Sequence, residues 1–419
     1  MLGGAILVIV LVLIFGVRAC VGGKKGNSNE DQKTAQSNQE NDPSSPANDG
    51  ETDEKKDASP ATDTNAETTM EKASTEVTEL IQSYYKAFGE KDIATLKTIE
   101  DGFTPADLVF PAFMFIMGVS IYLSLNKSNF DWRISIARIL RRAVLIFVSG
   151  VALKWILAFI ATGEYNTLEN LRIMGVLQRL GICYGIVALL AVTVRHRLFP
   201  TIIAVLLVGY YLLQLFGNGF EKCAGNIVSM VDYAVLGKSH MYLGGAQFVD
   251  PEGILSTIPA IAQVMIGFLC GKVIVGEKEI RSQIVKLAVW GTSMFVVGYL
   301  WSYAAPLNKR LWSPSFVLVT CGITSLIFAT LIYIIDDSKR TRWSFPFLVV
   351  GVNPLSIYIF SEIAGGLFRK LQWTTISFEG IWQPLFGNYG GSLAYALAFL
   401  MFNWLIAFFL YKKHIYIKL

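Results

Sequence analysis

Polar side chains that a lipid bilayer tolerates poorly recur in and beside the apolar segments of this sequence. The nine that stand out are Asp107, Arg172, Gln178, Arg179, Asp250, Glu252, Asn308, Asn353 and Glu362. A charged side chain at the centre of a bilayer costs roughly 2.5–3.5 kcal/mol on insertion scales, so such residues usually face a cavity in which they bind or react. The pattern predicts an integral membrane protein with a polar interior.

Two arginines are the candidates for binding an anionic ligand. Arg172 and Arg179 are seven residues apart, a spacing that would place both on one face of a helix, about 10 Å apart along its axis. Two inward-facing cations would suit a phosphate-bearing cofactor. Interhelical salt bridges, for instance with Asp107 or Glu362, explain the same pair, and both interpretations stay open.

Two aspartates stand where helices are expected to start. Thr104 can cap a helix that begins with a proline, and Asp107 then lies in the first turn, where its charge suits the helix dipole. Asp250, followed by a proline and Glu252, shows the same order of cap, proline and acid. Capping therefore competes with a functional role at both positions.

Several loops and interruptions carry further polar residues. His240 lies in a long loop, where a lone histidine is most often a surface residue. Asn353, followed by a proline, interrupts an apolar segment, where the freed backbone groups need polar neighbours. Glycines 267 and 271 form a GxxxG pattern that predicts a contact between helices.

The composition indicates a membrane protein and argues against a soluble domain, a nucleic-acid-binding protein and a metal site. Hydrophobic residues make up 53% of the chain and charged residues 16%, against about 25% charged in a typical soluble domain. The net charge of +4 is spread over membrane loops, so we expect a lipid bilayer and no nucleic acid as partner. The five cysteines lack metal-ligand spacing, and we expect no metal. A homodimer is left open.

The chain divides into four parts. Residues 1–21 contain the apolar segment Leu2–Val17, interpreted as an uncleaved membrane anchor in preference to a signal peptide. Residues 22–74 are polar and predicted to be disordered, and 75–100 form a short amphipathic helical segment. Residues 101–419 are predicted to be an all-α, polytopic transmembrane bundle. Its nine expected spans are 108–125, 139–160, 174–194, 198–216, 254–275, 284–303, 315–335, 345–367 and 391–411.

Basic residues set the expected orientation. Lys and Arg cluster in alternate connections, around positions 127–142, 195–197, 278–286, 339–342 and 412–418. The positive-inside rule places these connections in the cytoplasm, together with both termini. Residues 22–106 are then extracytoplasmic, and the location is a cell (inner) membrane.

Five runs of sequence resemble the heparan-alpha-glucosaminide N-acetyltransferase family and its bacterial relatives. They are Gly102–Ile121, Arg172–Tyr184, Asp250–Ile261, Pro306–Trp312 and Val352–Leu355. The resemblance implies transfer of acetyl from cytoplasmic acetyl-CoA, as co-substrate, to an amino or hydroxyl group of an extracytoplasmic amino sugar or polysaccharide.

With the resemblance in view, roles can be assigned to the polar residues. Asp107, which matches a motif aspartate of the family, and His240 are the candidate catalytic residues. Arg172, Gln178 and Arg179 are the candidates for binding acetyl-CoA. The candidate substrate-binding residues are Asp250, Glu252, Asn308, Lys309, Trp312 and Asn353.

One departure from the family pattern affects catalysis. Members carry a helix and then a loop histidine before the run that here begins at Gly102, whereas this sequence has no histidine before His196. A general base is typically worth 10²–10⁴-fold in rate, so we expect impaired catalysis. Glu100, Asp101 and His240 remain candidates to replace it. Export of a small anionic solute and a non-catalytic partner role are the alternative functions.

Overall fold

The computed structural model describes residues 103–164, 169, 171–221, 225–242 and 249–417. These residues form helices joined by turns and loops, which confirms the all-α prediction. The helices are α1 Val109–Asn126, α2 Trp132–Thr162, α3 Val176–Thr193, α4 Phe199–Phe216, α5 Ile227–Leu236, α6 Thr257–Gly276, α7 Ile280–Trp301, α8 Pro314–Ile332, α9 Phe345–Gly351, α10 Pro354–Lys370, α11 Trp373–Ser377 and α12 Gln383–Lys412.

The membrane-spanning pattern agrees with the prediction of nine spans. Within the described ranges, eight helical segments are long and apolar enough to cross a bilayer, and a bent pair of helices adds a ninth. The predicted span 391–411 is the end of a longer apolar segment, Trp373–Lys412. The protein is therefore a multi-pass membrane protein. The predicted anchor, linker and amphipathic segment lie outside the described residues.

The bent pair lies where the sequence predicts that Asn353 and Pro354 interrupt the span 345–367. The segments Arg342–Gly351 and Pro354–Lys370 meet at an angle of 72°. Pro354 lacks a backbone N–H, and its ring disfavours helical geometry at the preceding residue. Asn353 accordingly leaves the helical region, with φ −130° and ψ 52°.

Helix α6 occupies the centre of the bundle, where it packs against α1, α3, α4, α7 and α8. Its crossing with α1 brings the two backbones together at glycines. A Cβ atom on Gly267 would lie 2.0 Å from the Phe115 carbonyl oxygen, and one on Gly118 would lie 2.0 Å from that of Val264. Gly271 lies against the same helix, so the predicted GxxxG contact is confirmed.

Aromatic rings fix the turn between α1 and α2. Asn129 and Phe130 both have positive φ, 51° and 56°, so the chain reverses sharply there. The Phe130 ring packs on Tyr122, on His196 and on Phe268, with the closest centroid, that of His196, at 4.6 Å. This packing positions the first turns of α2 beside the end of α1.

Candidate functional site

Asp107 lies in a short 3-10 turn, Pro105–Leu108, immediately before α1. Its carboxylate accepts hydrogen bonds from the Thr104 backbone N–H at 2.9 Å and the Thr104 hydroxyl at 2.7 Å. The expected helix-start geometry is therefore present. The second carboxylate oxygen accepts from the Lys309 ammonium at 3.1 Å, so Asp107 also joins α1 to the loop before α8.

That loop is held by its own side chains. Asn308 is buried, and its side-chain oxygen accepts from the backbone N–H groups of Arg310, at 2.9 Å, and Leu311, at 3.0 Å. The backbone of Asn308 also bonds Ser313. Trp312, which follows, is buried with φ +53°, a strained value for a large side chain. The fold holds Lys309 and Trp312 in fixed positions.

Trp312 connects the loop to three helices. Its ring packs edge-on against Phe110 of α1, with centroids 5.1 Å apart. Its indole N–H donates to the Gln263 side-chain oxygen of α6 at 2.8 Å. Gln263 donates in turn to the Pro111 carbonyl at 3.0 Å. The Arg179 guanidinium of α3 lies over the indole, 4.9 Å from its centroid.

Arg179 is fully buried and has spare donors. One guanidinium nitrogen, Nη2, donates to the Gly253 carbonyl at 3.1 Å and to the Ser256 hydroxyl. Among the residues that the structure describes, the other two, Nε and Nη1, have no hydrogen-bond partner. A buried donor without a partner is costly, so this arginine has the unmet capacity that a ligand carbonyl or anion would satisfy.

Arg172 forms ion pairs with the loop before α6. Its Nη2 lies 2.5 Å from an oxygen of Asp250 and 2.5 Å from one of Glu252, and its guanidinium lies 4.7 Å from the Tyr242 ring centroid. Burial disfavours the charged form, but the two carboxylates outweigh it and raise the pKa of Arg172. Salt bridges thus occur, with partners other than the expected Asp107 and Glu362.

Two local predictions in this region were wrong. Arg172 does not share a helix with Arg179, because α3 begins at Val176, after an extended Gly175. Asp250 does not cap α6, whose first residue is Thr257 and whose cap position is Ser256. The Asp250 carboxylate instead accepts from the Glu252 N–H at 3.0 Å and pairs with Arg172, which holds the chain in a turn that a helix would disrupt.

His240 lies next to these ion pairs. It ends the short 3-10 turn Lys238–His240, and its ring Nδ1 is 2.8 Å from the Leu171 carbonyl oxygen. Its own carbonyl accepts from the Ile173 N–H at 3.2 Å. His240 thus bonds the two residues on either side of Arg172. The other catalytic candidate, Asp107, bonds different residues, Thr104 and Lys309.

Asp232 is a buried carboxylate that the sequence analysis missed. It lies on α5, and one oxygen accepts from the N–H groups of Ile254 at 2.7 Å and Leu255 at 3.3 Å. Burial raises the pKa of Asp232 to about 6, although these N–H groups oppose the shift. A single acid within the apolar run Ile227–Leu236 was the signal available in the sequence.

We call the set just described the polar network. Its members are Asp107, Arg172, Arg179, Asp232, Asp250, Glu252, Gln263, Lys309 and Trp312. They lie at the starts of α1, α3 and α6, on α5 and in the loops before α6 and α8, and we call this side the Asp107 end of the bundle.

Three predicted residues lie elsewhere. The Gln178 side chain points to α2, since a Cβ on Gly150 would lie 2.6 Å from its oxygen. Its amide nitrogen has no hydrogen-bond partner within the described part of the chain. Asn353 bonds the C-terminal tail, donating to the Ile415 carbonyl at 2.7 Å and accepting from the Ile417 N–H at 2.8 Å. Glu362 is buried on α10.

A cavity lined by three arginines, which we call the arginine cavity, lies at the opposite end of α1. Its volume is about 350 Å³, and its lining includes Ser124, Ser135, Arg138, Arg141 and Arg142. The three arginines come from the first turns of α2, and their spacing places them on one helix face. That spacing was a readable signal, although the sequence analysis used these residues only for orientation.

Comparison with known proteins agrees with the motif resemblance. A family model described as heparan-alpha-glucosaminide N-acetyltransferase, catalytic, matches residues 92–303, just over half of the chain. The chain belongs to this family. The matched range contains Asp107, Arg172, Arg179 and Asp232, together with the arginine cavity.

Two relatives in the heparan-alpha-glucosaminide N-acetyltransferase family are similar to this chain. The proteins of that name from Mus musculus and Homo sapiens are each 26% identical to it, over 380 and 381 residues respectively. Each alignment covers 76% of this chain and 55% of the relative. The chain therefore spans about half the length of the curated relatives it matches.

Proposed function

We propose that this protein is a membrane acetyltransferase that moves acetyl from cytoplasmic acetyl-CoA to an amino or hydroxyl group of a sugar on the other side of the membrane. Family membership supports the reaction class. The observation that carries the proposal is the separation of two polar sites by one membrane-spanning helix, with the arginine cavity at one end of α1 and the polar network at the other.

The arginine cavity suits the phosphate groups of acetyl-CoA. Arginine binds phosphate oxygens through a planar set of donors, often in bidentate fashion. Arg138, Arg141 and Arg142 supply three such groups beside the hydroxyls of Ser124 and Ser135. The Arg142 guanidinium also lies 5.1 Å from the Tyr184 ring centroid, so this aromatic ring helps to hold it at the cavity.

The polar network suits the reacting end. Helix α1 has 18 residues, which corresponds to about 27 Å, and the pantetheine arm would run along it from the arginine cavity toward the polar network. Acetyl-CoA supplies a thioester as the activated acyl group. Arg179, which has two buried donors without a partner in the described ranges, would orient its carbonyl. Asp107, paired with Lys309, would orient the acceptor at the mouth.

The remaining site assignments stay part of the proposal. His240, beside Arg172, is the candidate catalytic histidine at the Asp107 end, and Gln178 has a spare buried donor for the acyl carrier. The acceptor would contact Glu252 and Lys309, which retain exposed surface. Asp250, Asn308 and Trp312 would act by holding those residues, and Asn353 would act from the C-terminal tail.

Catalysis is proposed to be impaired in this chain. No histidine precedes His196 in the sequence, where the family resemblance implies a catalytic one. Because a general base typically contributes 10²–10⁴-fold, the expected transfer rate is low unless His240 or an acid upstream of Asp107 replaces it.

Export of a small anionic solute is the second candidate function. The broken helix at Asn353, bent by 72°, favours it, since transporters often bind solutes at interrupted membrane helices. The arginine cavity would then hold the solute. Acetyl-CoA distinguishes the two functions, because solute flux that does not depend on acetyl-CoA supports export.

The test is acetyl transfer to glucosamine by the purified protein, compared with a version that carries the family's histidine-bearing helix and loop. If only the repaired protein transfers acetyl, the natural chain is an acetyltransferase core without its base. If both transfer acetyl equally, the impaired-catalysis proposal is wrong. If neither transfers acetyl and neither binds acetyl-CoA, the acetyltransferase proposal is wrong for this chain.

A further inference from the structure

One carboxylate oxygen of Asp232 lacks a hydrogen-bond partner in the part of the chain that the structure describes. Within the described chain the residue is fully buried, and its Oδ2 has no hydrogen-bond partner. This oxygen lies against the backbone of the turn before α6: a Cβ atom on Gly253 would be only 1.8 Å from it. Any larger residue at position 253 would displace the Asp232 carboxylate, so the glycine allows the close approach of carboxylate and backbone.

The Gly253–Ile254 peptide lies between two buried charged side chains. Its carbonyl oxygen accepts from the Arg179 guanidinium at 3.1 Å. Its N–H donates to the Asp232 carboxylate at 2.7 Å. The positive N–H end of the peptide therefore faces the anion on α5, and its negative C=O end faces the cation on α3. Each charge polarises the peptide and strengthens the hydrogen bond at its other end.

Other charged and titratable groups face Asp232 from every neighbouring element. Arg179 on α3 favours its ionised form, whereas Asp250 on the preceding loop disfavours it. Tyr210 on α4 also interacts with it electrostatically. Arg179 is thus the cation that offsets the Asp232 charge, and the link between them is the Gly253–Ile254 peptide.

We propose that ionised Asp232 is a positioning residue: it holds the Gly253–Ser256 turn against Arg179 and thereby fixes the guanidinium that orients the acyl group. This inference rests on the proposed function for its effect on transfer. Protonation of Asp232 weakens the acceptor for the Ile254 and Leu255 N–H groups and adds a donor, which loosens the turn. Transfer then slows as the pH falls through about 6.

The first test needs no activity. Hydrogen–deuterium exchange of the peptide spanning 249–258 is measured at pH 7.5 and pH 5 and corrected for intrinsic exchange. We expect the Ile254 and Leu255 amides to lose protection at pH 5, and to be poorly protected at both values in D232N. Equal protection at both pH values in the natural protein overturns the proposal, and this outcome can be read even if D232N does not fold.

The second test is kinetic, in the natural or repaired protein, whichever transfers acetyl. D232N should lower kcat about tenfold, the loss expected from one hydrogen bond to a charged group, with the KM for acetyl-CoA unchanged and the acid limb of the pH profile removed. Asp336→Asn, in the segment Tyr333–Asp337 that follows α8, is the matched control. A D232N enzyme with natural kcat and acid limb overturns the proposal. Absence of transfer in every form tells against the acetyltransferase function alone, and exchange still decides the role of Asp232.

Discussion

The Arg179 guanidinium lies over the Trp312 indole, 4.9 Å from its centroid. This contact joins the first turn of α3 to the loop before α8, across 133 residues of sequence. Trp312 also reaches α1 through Phe110 and α6 through Gln263. Through Trp312 the polar network therefore links α1, α3 and α6 to the loop before α8.

Loss of the Arg172 ion pairs should destabilise the protein. In Arg172→Met the carboxylates of Asp250 and Glu252, whose side chains are 0% and 17% exposed, would lose their cation. Removal of one partner from a buried pair costs about 3–5 kcal/mol. We expect a clearly lower unfolding temperature in detergent. Lys286→Met, which removes the exposed pair with Glu277, is the control and should change little.

A side chain larger than that of glycine at the crossing of α1 and α6 should force the two helices apart. In Gly267→Ala the new methyl group would meet the Phe115 carbonyl oxygen, and overpacking of this kind costs about 1–3 kcal/mol. Thermal unfolding measures the loss. Gly276→Ala on the same helix is the matched control, since a Cβ there meets nothing within 4 Å. Equal stability of the two variants would contradict the crossing described above.

Asp232 should make stability depend on pH with a defined sign. Its pKa is raised from 3.8 to about 6, so the folded protein favours the neutral carboxyl group. The contribution of that group to stability is therefore full below pH 3.8 and is lost as the pH rises through about 6. The permanently neutral D232N should therefore gain unfolding temperature over the natural protein at pH 7.5, and this gain should shrink toward pH 5. If D232N and the natural protein differ in unfolding temperature by the same amount at both pH values, the assignment of a raised pKa is refuted.

Neutralisation of Asp232 thus affects stability and function in opposite directions. It removes the cost of a buried charge while it weakens the hydrogen bonds that position Arg179. A stability increase accompanied by slower transfer is the expected result for a strained functional group.

Asn353 should control the C-terminal tail. Asn353→Ala removes both hydrogen bonds to Ile415 and Ile417, each worth about 1 kcal/mol. Hydrogen exchange of residues 413–417 should accelerate, while that of α6 stays the same. If the tail keeps its protection, its position depends on packing of the flanking side chains instead.

The sequence predicts the helices well because long apolar runs and alternating basic clusters identify spans without knowledge of tertiary contacts. The GxxxG pattern at Gly267 and the turn chemistry at Asp107 depend on neighbours three or four residues away, and both predictions were correct. The family was likewise recognisable from five ordered runs, which the family match confirms.

Partners distant in sequence were not predictable in this way. Arg172 pairs with Asp250, 78 residues away, and no local pattern distinguishes that partner from Asp107 or Glu362. The same ion pair explains why Asp250 does not cap α6. Its carboxylate is bound to Arg172, and this contact outweighs the local preference for starting a helix there. The role of Asp232 depends on Gly253, which is 21 residues further along the chain and on a different element.

Acetyl-CoA binding by calorimetry tests the central claim most directly. The natural protein is compared with Arg138→Gln and Arg142→Gln, and with Arg133→Gln, a residue of the same helix outside the cavity lining. Loss of one charge-assisted contact, about 1.5–3 kcal/mol, corresponds to at least tenfold weaker binding. The account predicts that loss in the two cavity variants and natural affinity in Arg133→Gln. Natural protein that does not bind acetyl-CoA, or cavity variants that bind as tightly as the control, would contradict it.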